Sequence, residues 1–196
     1  MFDRPDVSLG IRRTADGVVL VDRSCGGCAS CAAGASLWCL QPVGEGRDLA
    51  PAVPADRGDA LGAALAAASA FVEAPAASTV LVVDEEDGPL AVLVRALGPA
   101  RVLVGTDPFD AALKAELAHL EPTGRAAVIV AGSDARAAVK AVRRGGHVCV
   151  GNPAARMPSV TELVQREVTL VGPRAVAGLI RRVGEPVWTA TVAAAA

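Results

Sequence analysis

The chain has 196 residues, 52% of them hydrophobic and 20% charged, with a formal net charge of −2. That composition can bury a core and excludes a disordered chain, and the length suits one ordinary domain plus a small appendage. Scattered arginines under a weakly acidic balance argue against nucleic acid as a partner, and no apolar run is long enough to span a bilayer.

The opening Met1-Phe2-Asp3-Arg4-Pro5-Asp6 lacks the basic-then-apolar profile of a secretory signal, so a cytoplasmic location is expected. Val18–Val21 reads as a strand leading into Cys25-Gly26-Gly27-Cys28-Ala29-Ser30-Cys31, with Cys39 seven residues later. Four thiols so close together suit one tetrahedral Zn²⁺, which would stabilise a lobe with little core of its own. Gly26, Gly27 and Gly34 let the backbone bend around such an ion. Bacterial ferredoxins place their last cysteine after three residues and follow it with proline, whereas Leu40 follows Cys39 here. An iron–sulfur cluster, disulfides and thiol redox sensing are the alternatives to zinc. Cys149, inside Val148-Cys149-Val150, reads as buried and inert.

Gln41 to Gly58 carries six prolines and glycines and reads as a linker or an irregular crossing segment. Asp59 is the expected cap of a helix through Ala60–Ala74, stopped by Pro75. Strands and helices then alternate. Thr79–Val83 is a strand, Pro89–Leu97 a helix closed by Gly98, and Arg101–Val104 a strand. Pro108–Leu120 is a helix capped by Asp107, Ala126–Val130 a strand, and Ser133–Arg143 a helix capped by Ser133. His147–Val150 is a strand, Ser159–Gln165 a helix, and Glu167–Val171 a last strand. This alternation, with strands that are unbroken apolar runs, predicts an α/β fold with a mostly parallel sheet covered by helices on both faces.

These segments resemble the medium-chain zinc-containing alcohol dehydrogenases. The likeness runs from Asp16-Gly17-Val18-Val19 through the cysteine motif and Leu37-Trp38-Cys39. It resumes in Thr79–Val83, Val94–Gly98, Arg101–Val104 and Ala127–Ser133, and closes in Arg144–Gly151, covering about two thirds of the chain. The resemblance implies a Rossmann-like domain over 59–196. Residues 1–58 would be the remnant of the N-terminal dehydrogenase domain, with a structural zinc on Cys25, Cys28, Cys31 and Cys39. It also implies a homodimer through the last strand, Glu167–Val171.

Departures from the family pattern shape the functional expectation. No cysteine precedes Cys25, and His119 and His147 are the only histidines, so three ligands for a catalytic zinc cannot be assembled here. The family's glycine-rich phosphate turn is replaced by Asp84-Glu85-Glu86-Asp87-Gly88, whose acids would repel a pyrophosphate and could instead satisfy the helix start. The second strand ends in Val104-Gly105-Thr106 with no acid for a ribose hydroxyl, and the short interval Leu120–Ala126 implies a deleted edge unit. The expectation is a truncated, divergent pseudoenzyme: a zinc-binding scaffold or a module for a protein or small-molecule partner, with NAD(P) binding disfavoured. The alternative is an NADP(H)-dependent oxidoreductase without catalytic zinc, in which Arg125, Arg143 and Arg144 could meet phosphates.

Overall fold

The computed structural model describes residues 9–33, 39–49, 52–132, 134–151, 156–173 and 176–195. Gly34, Leu37 and Trp38 of the cysteine motif and Ser133, the expected helix cap, lie outside them.

Two sheets share one helix. β1 (Leu9–Thr14) and β2 (Gly17–Asp22) form an antiparallel hairpin, and β3 (Arg47–Asp48) adds to β2. The hairpin turns at Gly17, where φ is +137° and a side chain would strike the Val53 carbonyl carbon at 3.0 Å. Described residues of the segment read as a linker or an irregular crossing are tied to β2 and the residue after it. Val43 N–H donates to the Arg23 carbonyl, Leu49 N–H to Leu20, and Val18 and Val53 exchange two bonds of 2.8 Å. These backbone bonds make it the irregular crossing rather than a free linker.

α1 (Ala29–Ala32) is a single turn inside the cysteine cluster. α2 (Ala55–Phe71) starts earlier than the sequence suggested, with Pro54 rather than Asp59 at its cap position. It has no polar face over most of its length. Leu61, Leu65, Ala66, Ala67, Ala68 and Ala70 are completely buried, as expected of a helix enclosed on all sides. Its alanines permit that enclosure. A methyl group on Gly58 would strike Val18 of β2, and one on Gly151 would lie 2.9 Å from the Ala63 carbonyl carbon and 3.0 Å from the Ala67 nitrogen.

The second sheet is parallel, in the order β5-β4-β6-β7-β8. Its strands are β4 (Val80–Val83), β5 (Val102–Gly105), β6 (Val128–Ala131), β7 (His147–Val150) and β8 (Thr169–Val171). α3 (Pro89–Ala96), α7 (Val176–Val183) and α8 (Glu185–Ala194) join α2 on one face. α4 (Ala111–Leu120), α5 (Ala135–Ala141) and α6 (Val160–Arg166) cover the other. The expected α/β architecture is therefore present. β5 forms one edge and joins directly through α4 to β6, as the short interval before Ala126 suggested.

Several boundaries differ for local reasons. Asp110, not Asp107, caps α4, accepting from Ala112 and Leu113 N–H, while Asp107 holds the preceding turn through Phe109 N–H at 2.8 Å. Asp134 caps α5 through Ala137 N–H. Glu167 is no strand residue: it ends α6 with φ at +56°, which leaves β8 only three residues. The sequence reading also missed β1, α7 and α8. Buried Glu121, at the end of α4, accepts from Ser78 Oγ at 2.8 Å just before β4. Bonds from Thr79 and Ser78 hold its carboxyl below the usual carboxylate range.

Two outcomes follow. Gly151→Ala should lower Tm by several degrees, because Ala63 and Ala67 are backbone neighbours that cannot turn aside, whereas Gly172→Ala, with open space around it, should leave Tm nearly unchanged. Because the folded pKa of Glu121 is depressed, its ionised form contributes stability above its unfolded pKa, and that contribution is lost as pH falls through the folded value. Glu121→Gln should therefore be less stable than the parent at neutral pH, with the gap closing in acid; a pH-independent gap in denaturation midpoint would contradict this.

Candidate metal centre

The cysteine cluster is built by backbone geometry. Gly26, at φ +75°, reverses the chain between Cys25 and Cys28, and the α1 turn carries Cys31 back beside Cys28. Cys28 N–H then donates to Cys25 Sγ and Cys25 N–H to Cys39 Sγ, each at 3.3 Å. Such bonds spread charge away from thiolates and orient their lone pairs. Cys39 is buried, and the other three are half-buried.

All four sulfurs lie within 4.8 Å of one another, with Cys28–Cys31 at 3.5 Å and Cys28–Cys39 at 3.8 Å. Tetrahedral Zn–S bonds of about 2.3 Å place sulfurs about 3.8 Å apart, so the donor set fits and could hold one zinc ion. Four cysteines leave no position for a substrate, so a metal here would have a structural role. The thiols are unequal. Backbone bonds from Cys31 and Leu40 depress Cys28 to about 6, while desolvation and the neighbouring Cys28 push Cys31 up to about 12. The backbone groups of Gly27 and Cys28 lower Cys25. Thiolate is thus already favoured at one ligand, and a dication would draw off the remaining protons.

Among the described residues, no other group of three or more His, Cys, Asp or Glu side chains could hold a metal. His119 lies in the last turn of α4 and His147 opens β7, and neither joins such a group.

The acidic turn after β4 has a definite structure. Pro89 begins α3 and has no N–H, so Leu90 and Ala91 present the first free amides of the helix. Both donate to Asp84 Oδ2, at 2.9 and 3.1 Å. Gly88 is buried beneath that carboxylate, and a methyl group there would lie 2.5 Å from its carbon. Glu86 pairs with Arg95 in the last turn of the helix. Glu85 and Asp87 face solvent. The signal for this cap was present in the run Asp84-x-x-x-Gly88-Pro89, since proline leaves the next two amides for an acid upstream.

Arg125 and Arg144 are occupied elsewhere. Arg125 donates to the Lys140 carbonyl at the end of α5, and Arg144 pairs with Glu167 at 2.9 Å. Both, like Arg143, precede strands of a parallel sheet, and so sit at the end opposite the start of α3.

Cys31→Ser should reduce zinc content from one per chain toward none and lower the stability of the N-terminal sheet. Protons compete with metal for the thiolates, so zinc affinity should fall as pH is lowered, and more steeply below about 6, where Cys28 also takes up a proton. Unchanged zinc stoichiometry in Cys31→Ser, by elemental analysis, would refute the assignment of these ligands.

No family model and no curated protein matches this sequence. Solved structures do match in fold. AibC is 15% identical, with a TM-score of 0.52 over 94% of this chain and 69% of its own. An oxidoreductase/dehydrogenase of unknown specificity involved in membrane biogenesis from Escherichia coli, ECK1772, is 15% identical, with a TM-score of 0.52 over 84% and 63%. A short chain alcohol dehydrogenase (rspB) from E. coli CFT073, complexed with NADH, is 14% identical, with a TM-score of 0.51 over 85% and 64%. This chain thus spans under two thirds of the length of the last two. Its fold is similar to that of alcohol dehydrogenases and related oxidoreductases.

Proposed function

We propose that this chain is a zinc-stapled, alcohol-dehydrogenase-like pseudoenzyme that acts as a scaffold or binding module. The Asp84 carboxylate carries this reading. A helix start beside the first parallel strand is where a dinucleotide pyrophosphate gains most from free amides and the helix dipole. In this chain a tethered anion already takes the Leu90 and Ala91 amides. An incoming phosphate would have to displace it and approach Glu85 and Asp87 as well. The four-cysteine site offers a metal no open position, so zinc would supply stability rather than Lewis acidity.

The proposal includes a cytoplasmic location and a homodimer in which β8 pairs with its copy. Its open backbone edge favours such an arrangement, since unpaired N–H and C=O groups recruit another strand. The second reading, an NADP(H)-dependent oxidoreductase without catalytic zinc, is favoured by the fold likeness to a structure holding NADH and by the absence of an acid directly after β5.

Thermal-shift measurements with NADH and NADPH separate the two. The parent chain should show no shift with either. Changing Asp84, Glu85 and Glu86 to Gly-Ala-Gly should create measurable affinity, most of it from Asp84, at the cost of roughly 1 kcal/mol of helix capping. A clear shift in the parent would put oxidoreductase chemistry first.

A further inference from the structure

A pocket of about 410 Å³ that none of the roles above uses lies between α5, the turn before α4 and the segment after β7, which follow the carboxyl ends of β6, β5 and β7. Open α/β sheets hold their ligands at this end of the strands. Phe109, from the turn before α4, and Met157, after β7, supply apolar walls and remain 39% and 43% exposed. Arg136 and Lys140, four residues apart on one face of α5, supply charge, as does Arg156.

The charges do not cancel. Arg136 Nε donates to Glu162 at 3.1 Å, and Arg156 reaches Asp134 at 3.3 Å. Lys140 Nζ forms a longer ion pair, at 3.8 Å, with the same Glu162 oxygen that takes Arg136. Two carboxylates thus serve three cations, and both are also committed to helix starts. Asp134 accepts Ala137 N–H at 2.9 Å, and Glu162 accepts Ser159 N–H at 2.8 Å. Arg156 is held at φ +46°, an unusual conformation for a long side chain, while its carbonyl accepts Arg136 N–H at 3.0 Å. Lys114 lies over the Phe109 ring, 5.3 Å from its centre.

We propose that this pocket binds a small organic oxyanion, a phosphate monoester or carboxylate carrying one apolar ring. The anion would meet Lys140 and the outer guanidinium nitrogens of Arg136, and the ring would lie against Phe109 and Met157. The volume suits a ligand of that size. The inference deepens the scaffold reading and rests on it, because a dinucleotide would need the helix start that Asp84 occupies.

Calorimetry on the zinc-loaded full chain at low salt tests it, with phenyl phosphate, benzoate and inorganic phosphate as probes. At least one aromatic anion should bind once per chain, about tenfold more tightly than inorganic phosphate, and the preferred probe identifies the oxyanion. Combining Arg136→Gln with Lys140→Gln should weaken it at least about tenfold. Phe109→Ala should abolish the aromatic advantage and leave inorganic phosphate unchanged. No binding of either aromatic probe at millimolar concentration, or unchanged affinity in the double variant, would overturn the pocket assignment. NADPH titrated in parallel keeps the two claims apart. NADPH that displaces the aromatic anion overturns the scaffold reading, whereas silence from NADPH and both aromatic probes overturns the pocket alone.

Discussion

Burial of α2 between the two sheets is the constraint on which the rest of this structure depends. The helix touches β1 and β2 on one side and β6 and β7 on the other, so one hydrophobic core runs from Leu9 and Val18 through Leu61 and Leu65 to Val80 and Val130. Only small residues permit that approach. Gly151 meets the helix backbone at Ala63 and Ala67, and Gly58 meets Val18. The N-terminal sheet is therefore anchored to the parallel sheet by this shared core, and a metal on the four cysteines would add a second hold. Loss of metal should loosen the cluster around Cys25–Cys39 before it disturbs the parallel sheet.

The start of α3 supports the proposed reading by local chemistry. A helix that begins with proline exposes two amides, and something must accept them. In dinucleotide sites a phosphate does so over a glycine turn. In this chain Asp84 does so, and Gly88 is needed only because the carboxylate lies against it. The first two free amides of α3 are thus taken by a side chain of this chain. The pocket beside α5 is lined by three cations and one carboxylate and by none of the residues of that helix start.

The five parallel strands were legible because each is a short apolar run bounded by glycine, proline or a capping acid, and both faces of the sheet are buried. The cysteine cluster was legible from spacing alone. What escaped the sequence reading was set by tertiary contacts. β1 alternates weakly and is recognised only through its pairing with β2. The stretch after Cys39 left a linker and an irregular crossing both open, and only the bonds from Val43, Leu49 and Val53 back to the first sheet favour the crossing. The start of α2 was misplaced because the helix is fixed by burial rather than by a polar cap. The charged pocket was invisible because Arg156 reaches α5 only after the chain has passed through β7.

Hydrogen exchange at the Leu90 and Ala91 amides, with and without millimolar NADPH, tests the central claim most directly. If Asp84 fills the anion site, both amides will be protected in the free protein and NADPH will not change their rates. Rapid exchange in the free protein that slows when NADPH is added would contradict the account, and would identify the helix start as an open cofactor site.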